Sequence, residues 1–308
     1  MISEKGPAFN SKILLFGEYS LMKGSMALCI PYEKFSGQLL FDKLSANKIS
    51  NHASLIYLIE YLDFLKTNDL SRAINIEEFE SDIESGLYFE CNIPISYGLG
   101  SSGAIVAAIF DAYSVVGNIN DLLELKILFA KMESYYHGES SGLDPLVSYL
   151  NKAVLISEDN KVKTVELPKE IKKDLGGIFL LDTKTTGETQ PLVSWFLTEY
   201  ENADFKNKIQ NKLVPLNNKC ISNYLSGDYD SLLAEIKSLS KFTIENFKPM
   251  IPSYIKEIWE KGIETNSYYL KLCGSGGGGM MLGFAYDLTK ALNELSNFET
   301  HRLMSFKG

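Results

Sequence analysis

Apolar runs in the first part of the chain predict a succession of strands followed by a helix. A continuous apolar run at residues 12–17 is typical of a buried strand, and two further strands are predicted at 26–31 and 35–41. Residues 52–66 instead carry leucine and isoleucine at helical spacing, which predicts a helix with one apolar face. The chain therefore begins as a mixture of strands and helices.

A strand, a glycine-rich loop and a helix follow one another in the next segment. Residues 87–93 alternate apolar and polar side chains as a strand does, and an apolar helix is predicted from about residue 102 to 116. A further helix is expected over 121–136, with Asp121 as its N-cap. A second polar loop that contains glycine occupies residues 137–145, and Pro145 suits a first helical position.

The second half of the chain predicts an α+β domain. Residues 154–156 and 162–165 are expected to form a hairpin, and the charged segment 167–174 is predicted to connect two domains. We place the domains at 1–170 and 171–308, because a chain of 308 residues exceeds the usual size of a single core. The second domain is predicted to contain strands at 177–182, 268–272, 280–284 and 302–306, with a glycine loop at 274–279. Its helical stretches are predicted at 190–225, 229–248, 254–266 and 287–297.

Composition and charge exclude several classes of function. A formal net charge of -9 argues against a nucleic-acid partner, because phosphate neutralisation requires clustered Lys and Arg. The four cysteines, Cys29, Cys91, Cys220 and Cys273, are scattered and are expected to be buried thiols in a reducing compartment. No signal peptide or run of membrane-spanning length is recognisable, so we expect a cytoplasmic protein with no membrane partner. Three histidines make a histidine-built metal site improbable.

The loop at residues 94–104 is a candidate phosphate cradle. Its glycines permit a positive φ and close approach of the backbone, and the N–H groups of the following helix start point toward an anion. An ordinary turn with two serines capping the helix is the alternative. Gly98, Gly100 and Gly103 satisfy G-x-G-x-x-G, but the segment that follows is helical where a dinucleotide fold needs a strand ending in an acidic residue. No Lys follows the glycines, which excludes a Walker loop.

Other residues supply what phosphoryl transfer requires. The reaction needs oxygen ligands for Mg²⁺, a group that orients or deprotonates the acceptor, and a cation. Ser101 and Ser102 offer hydroxyls, Glu133 and Asp144 offer carboxylates, and Lys12 offers the cation. Each also has an ordinary structural explanation.

Those structural explanations are a helix N-cap for Asp144, a solvated carboxylate for Glu133 and a surface position for Lys12. The loop at 274–279 is harder to explain as a plain turn, because its glycines carry an entropic cost that a two-residue hairpin turn avoids. We therefore expect its backbone to approach a ligand or the first domain closely.

Three stretches of the chain resemble, in order, the signature motifs of the GHMP small-molecule kinases. They are KILLFGE at 12–18, PISYGLGSSGA at 94–104 and KLCGSGGGG at 271–279. Within that superfamily the chain is most similar to the mevalonate kinases. The residues that carry this closer resemblance are Glu133, His137, Gly138, SGLD at 141–144, Thr183, Lys184, Thr189, Leu192 and Val193.

The resemblance implies a fold and an activity. The fold is a two-domain α+β kinase with an N-terminal nucleotide-binding domain, which contains a left-handed βαβ unit, and a C-terminal ferredoxin-like domain. The activity is ATP- and Mg²⁺-dependent phosphorylation of the primary hydroxyl of mevalonate, or of a similar hydroxy acid, in isoprenoid precursor synthesis. A homodimer is left open.

The resemblance also implies roles for individual residues. Asp144 would be the base, with Lys12 beside it, and Ser102 and Glu133 would hold Mg²⁺. Thr189 would support the Asp144 region. The ATP phosphates would be wrapped by Pro94, Gly98, Leu99, Gly100, Ser101, Ser102, Gly103 and Ala104. The acceptor site or its lid would comprise Glu18, Tyr19, His137, Thr189, Gly274, Ser275, Gly276 and Gly277.

Three positions depart from the pattern of these kinases. Tyr19 stands where His is usual, Ser140 where Pro is usual, and Gly187 where mevalonate kinases commonly have Arg. An Arg near the acceptor could pair with a carboxylate, so its absence keeps other acceptors open. The other acceptors are phosphomevalonate, homoserine and a sugar. The chain could also resemble the related decarboxylase, or be a nucleotide-binding protein without catalytic activity.

Overall fold

The computed structural model describes residues 2–42, 53–117, 119–169 and 175–306. The first residue of the predicted helix at 52–66 and most of the predicted connection at 167–174 lie outside these ranges. The chain divides into two compact units. The first comprises residues 1–12, 30–94 and 100–154, and the second comprises 13–29, 95–99 and 155–308. The predicted boundary at residue 170 stays a prediction.

A sheet of six strands is built around one long strand. That strand, β3, pairs with four others, and β5 and β6 form the predicted hairpin at one side of the sheet. The strands are β1 (Ile2–Glu4), β2 (Phe9–Phe16), β3 (Ala27–Asp42), β4 (Leu87–Cys91), β5 (Val154–Ile156) and β6 (Val162–Thr164).

The separate strands predicted at 26–31 and 35–41 are wrong, because both belong to β3. Pro31 does not interrupt β3, since its fixed φ is compatible with extended backbone and only one N–H is lost. The residues of β3 that pair with β4 are 37–41, which follow the proline.

Five helices belong to the first unit. They are α1 (Ala53–Thr67), α2 (Ile76–Glu84), α3 (Ser101–Tyr113), α4 (Leu122–His137) and α5 (Leu143–Leu150). Asp121 caps α4 as predicted, by accepting the N–H groups of Leu123 and Glu124. The sequence-based prediction lacks α2, which buries only Phe79 and Ile83. In α3 every residue from Gly103 to Phe110 is buried, as expected of a helix that is apolar all round.

Glycines rather than polar side chains precede α3 and α5. Gly100 has a φ of 77° and Gly142 a φ of 70°, and neither helix start has a side-chain cap. The alternatives that serines cap α3 and that Asp144 caps α5 are therefore wrong. Pro145 is the third residue of α5 and not the first. A left-handed glycine turns the chain into each helix and leaves Ser102 and Asp144 in the first helical turn, where they can serve other purposes.

The second unit contains an antiparallel four-stranded sheet in the order β10-β7-β9-β8. Its strands are β7 (Gly176–Asp182), β8 (Tyr269–Leu272), β9 (Met280–Ala285) and β10 (Glu299–Phe306). Its helices are α6 (Thr189–Tyr200), α7 (Ala203–Lys208), α8 (Val214–Ser226), α9 (Tyr229–Asn246), α10 (Ser253–Thr265) and α11 (Leu288–Glu294). The mixed α+β class is confirmed; the left-handed crossover and the ferredoxin-like topology of the second domain stay predictions.

Two expectations about this half of the molecule need correction. The single helical stretch at 190–225 consists of α6, α7, a π-helical turn over Ile209–Leu213, and α8. Cys29, Cys220 and Cys273 are buried as expected, but Cys91 is exposed because it lies at the end of β4. Among the helices of the described ranges, none has the length and apolar character that a membrane span requires.

Candidate active site

Lys12 and Asp144 form an ion pair in the first unit. Lys12 lies in β2 and Asp144 in the first turn of α5, and Lys12 Nζ is 2.8 Å from Asp144 Oδ2. The lysine side chain is 5% exposed and the aspartate side chain 28% exposed. The surface position considered for Lys12 is therefore wrong: the pair joins a buried cation to a carboxylate that solvent or a ligand can reach.

The glycine loop packs directly against this pair. A methyl group on Gly100 would lie 2.8 Å from Lys12 Cγ and Cε, and one on Gly103 would lie 2.7 Å from the carbonyl carbon of Asp144. Residues with side chains would displace Lys12 or the start of α5. The absence of Cβ atoms at these two positions thus allows the loop to lie against both charged residues.

Glu133 is the second carboxylate of the site and is buried within α4. Its Oε1 accepts a hydrogen bond of 2.9 Å from Ser102 Oγ, and its Oε2 accepts one from Ser140 Oγ. The hydroxyl of Ser140 in turn accepts the backbone N–H of Gly142 at 2.9 Å. The solvated position considered for Glu133 is therefore wrong.

Burial raises the pKa of Glu133 to about 7, and the negative charge of Asp144 adds to this shift. The hydrogen bonds from Ser140 and Ser102 and the charge of Lys12 act in the opposite direction. One ammonium therefore faces two carboxylates, and the cluster as a whole would be stabilised by a further cation.

The start of α3 offers an anion site beside these residues. Ala104 N–H is the first to bond within the helix, to Gly100 O at 3.1 Å, so the preceding N–H groups have no intrahelical acceptor. Pro94 precedes the loop and is half-buried, and Ser101 opens the helix. The helix dipole and these N–H groups favour a negative charge at this end of α3.

The oxygen ligands and N–H groups of the first unit fit Mg²⁺ and a nucleoside triphosphate. Carboxylate and hydroxyl oxygens are the ligands that Mg²⁺ prefers, and proteins usually hold it with one or two carboxylates plus substrate phosphates. Glu133 and Ser102 supply such oxygens. In the described part of the chain, no cluster of three or more His, Cys, Asp or Glu side chains could hold a metal by itself.

The second unit contains most of the other predicted site residues, and His137 lies in the first. Gly98 lies so close to β8 that a methyl group on it would be 2.4 Å from Cys273 O, and Leu99 is fully buried. Glu18 Oε1 pairs with Lys271 Nζ at 2.6 Å, with both side chains buried. Tyr19 Oη donates to Ser275 O at 2.6 Å.

The loop at 274–279 is held by hydrogen bonds to three neighbouring segments of the second unit. Gly277 N–H donates to Met250 O at 2.7 Å, Gly279 N–H donates to Thr185 O at 2.6 Å, and Met280 N–H donates to Tyr97 O at 3.3 Å. The hydroxyls of Thr189 and Ser275 are 3.1 Å apart. Gly274 and Gly276 both have positive φ.

Gly187 packs on the same loop. A methyl group at this position would lie 2.3 Å from Gly276 O. An arginine therefore cannot stand here without displacing the glycine loop. His137, another predicted member of the site, is the last residue of α4.

Two contributors to the site are missing from the sequence-based prediction. In the sequence Ser140 is only a departure from a motif, yet its hydroxyl donates to the buried Glu133. The sequence places Lys271 in a predicted apolar strand, yet its side chain pairs with Glu18. A lysine inside an otherwise apolar run is the signal for the second, since a buried lysine requires a partner.

Comparison with known proteins finds that part of the chain is similar to a kinase family. Residues 64–152 match the model of the GHMP kinases N terminal domain. A mevalonate kinase of Pyrococcus horikoshii is 26% identical, over 89% of this chain and 87% of its own length.

Two solved structures resemble the fold. The Leishmania major mevalonate kinase in complex with R-mevalonate superposes with a TM-score of 0.65 at 15% identity, covering 98% of this chain and 96% of its own. The Streptococcus pneumoniae phosphomevalonate kinase with phosphomevalonate and AMPPNP gives a TM-score of 0.63 at 14% identity, with coverage of 98% and 100%.

Proposed function

We propose that the chain is a GHMP kinase that transfers the γ-phosphoryl group of ATP to the primary hydroxyl of mevalonate. The products are 5-phosphomevalonate and ADP. The observation that carries the proposal is the juxtaposition, within the first unit, of the Lys12–Asp144 ion pair with the Ser102–Glu133 pair at the start of α3. The name of the curated relative supports mevalonate as the acceptor.

Asp144 is the proposed base. Its carboxylate accepts the proton of the acceptor hydroxyl as the oxygen attacks the γ-phosphorus, so that one O–P bond forms while the bond to the β-phosphate bridging oxygen breaks and ADP leaves. Lys12 Nζ, 2.8 Å from Asp144 Oδ2, stabilises the negative charge on the attacking oxygen. Because Lys12 is buried by Gly100, its position is fixed before the substrate arrives.

The phosphates of ATP are proposed to lie at the start of α3. The N–H groups of Ser101, Ser102 and Gly103 and the loop from Pro94 through Ala104 would surround them. Ser102 and Glu133 would hold Mg²⁺, which neutralises phosphate charge when bound. Glu133 is kept in place for this purpose by Ser140 and Ser102.

The second unit carries further candidate residues for the acceptor. Thr189 and Ser275 present a pair of hydroxyls, which suits an acceptor rich in hydroxyl and carboxylate oxygens. The loop at 274–279 is the proposed lid, and Glu18 stays a candidate in this unit. His137 stays a candidate in the first unit. Gly187 supplies no charge, so an acceptor carboxylate would depend on other groups.

A coupled assay of ADP release across acceptors tests the proposal. Mevalonate, phosphomevalonate, homoserine and galactose are compared at equal concentration with Mg·ATP. We expect mevalonate to give the highest kcat/KM. A rate at background with mevalonate, and a high rate with another acceptor, would overturn the assignment of the acceptor but not that of the kinase. Background rates with every acceptor, while ATP still binds, would support a non-catalytic protein.

A further inference from the structure

Tyr19 has a backbone conformation that non-glycine residues rarely adopt. Its φ is 59°, in the left-handed region, directly after the end of β2 and Gly17. Such a conformation is strained and persists only where the surroundings impose it. The strained turn contacts the glycine loop at 274–279 through Tyr19.

The surroundings of Tyr19 fix its position firmly. Its ring packs on Phe196 and Phe247, with centroids 4.9 Å and 5.6 Å away, and the residue is only 6% exposed. The preceding residue, Glu18, is held by its buried ion pair with Lys271. The following residue, Ser20, is buried and its hydroxyl accepts from Ser25 Oγ at 2.7 Å.

The phenol of Tyr19 is directed at the glycine loop. Its Oη donates to Ser275 O at 2.6 Å, and burial raises the pKa of the phenol, so that it stays protonated and able to donate. Ser275 stands between Gly274 and Gly276, both with positive φ, and glycines restrict the backbone least. The position of the Ser275 hydroxyl therefore depends on hydrogen bonds to neighbouring segments. We call the hydrogen bond from Tyr19 Oη to Ser275 O the tether.

We propose that Tyr19 is a positioning residue that fixes Ser275, and through it the Ser275–Thr189 hydroxyl pair, for binding of the acceptor. Tyr19 itself is buried and its hydroxyl is engaged by Ser275, so it acts through the loop rather than by touching the acceptor. This role rests on the proposed function, because it assumes that the hydroxyl pair faces the acceptor. It differs from the prediction that Tyr19 is itself a substrate or lid residue.

Tyr19→Phe tests the tether, with Tyr268→Phe as the matched control. Tyr268 is also buried, and its Oη donates to a backbone carbonyl, that of Ile258, at 2.8 Å, but toward α10. Loss of one hydrogen bond is expected to raise the acceptor KM about three- to tenfold in Tyr19→Phe, with the KM for ATP unchanged. Tyr268→Phe is expected to leave both KM values unchanged at a similar loss of thermal stability. An equal rise of the acceptor KM in both variants would overturn the proposal.

A double-mutant cycle with Ser275→Ala separates positioning from direct binding. If Tyr19 acts through the Ser275 hydroxyl, Tyr19→Phe has no further effect on the acceptor KM once that hydroxyl is absent. An undiminished effect in the Ser275→Ala background would show that Tyr19 acts independently of this hydroxyl, contrary to the proposal.

Amide hydrogen exchange provides a readout that needs no acceptor. Exchange at residues 274–279 is expected to be faster in Tyr19→Phe than in the wild type or Tyr268→Phe. Unchanged exchange would contradict the tether whatever the acceptor is. Faster exchange together with no turnover of mevalonate would instead retain the tether and reject the proposed acceptor.

Discussion

Lys12 Nζ and Asp144 Oδ2 are 2.8 Å apart, and the lysine is almost completely buried while the aspartate is partly accessible. A buried ammonium requires an anionic partner, and removal of one partner leaves the other uncompensated. The pair is therefore built so that the cation is fixed and the carboxylate can meet a ligand.

Replacement of Asp144 by Asn is expected to reduce kcat about 10²- to 10⁴-fold, the usual contribution of a positioned base, while ATP still binds. Asn retains the shape but cannot take the proton. The measurement is ADP release with mevalonate, together with ATP titration by calorimetry. Asp159→Asn is the control, because Asp159 pairs with Lys161 at 2.6 Å on the exposed β5–β6 turn. Full activity of Asp144→Asn would remove Asp144 from its assigned role.

Replacement of Gly103 by Ala is expected to reduce both stability and kcat. The added methyl group would lie 2.7 Å from the carbonyl carbon of Asp144 and 2.9 Å from Pro145 N, which are backbone atoms that cannot rotate away. Overpacking of this kind costs about 1–3 kcal/mol and would shift Asp144. Urea unfolding and steady-state kinetics measure the two effects.

Gly117→Ala is the control for Gly103→Ala, since a methyl group on Gly117 meets nothing within 4 Å. If both glycine variants retain wild-type stability and rate, the packing of Gly103 on α5 does not constrain the site.

Replacement of Ser140 by Ala is expected to weaken Mg²⁺ binding about 10- to 100-fold, the usual cost of losing a hydrogen bond to a metal ligand. The substitution removes the hydroxyl that donates to Glu133 Oε2. Titration of Mg²⁺ in the presence of a non-hydrolysable ATP analogue measures the effect. Ser134→Ala on the same helix is the control, because its hydroxyl bonds only to Lys131 O. Equal metal affinity in both variants would exclude a supporting role for Ser140.

The stability of the metal-free protein is expected to fall as pH rises from about 4.5 to about 7, owing to Glu133. Burial raises the pKa of this carboxyl to about 7, so within that window the folded chain keeps a proton that the unfolded chain has released. The stability that Glu133 contributes is fully present below its pKa in the unfolded chain and is lost as pH rises through its pKa in the folded chain. The expected slope is on the order of 1 kcal/mol per pH unit.

Urea unfolding of the wild type and Glu133→Gln at pH 5 and pH 7 measures this contribution. Gln does not titrate, so the difference in unfolding free energy between the two proteins should depend on pH. Parallel pH profiles would show that Glu133 is not protonated in the folded state.

Much of the fold could be predicted from the local sequence. The periodicity of α4, its N-cap at Asp121 and the order of strand, loop and helix around residues 87–116 depend on neighbours in the chain, and the structure agrees with them. The continuity of β3 through Pro31 could not be predicted in this way, because it depends on the strands that pair with it. The prediction lacks α2 because few apolar residues mark this helix, of which only Phe79 and Ile83 are buried.

The mixed α+β class and the types of residue that phosphoryl transfer needs could be predicted from the sequence: glycines that let the backbone approach phosphates, two serines, two carboxylates and a lysine. Which of these residues meet depends on the folded chain. There Lys12 is buried against Gly100, Asp144 lies in the first turn of α5 and not at its cap, and Glu133 has a second donor in Ser140. Burial and pairing of charges arise between segments that are distant in the chain, so no local pattern records them.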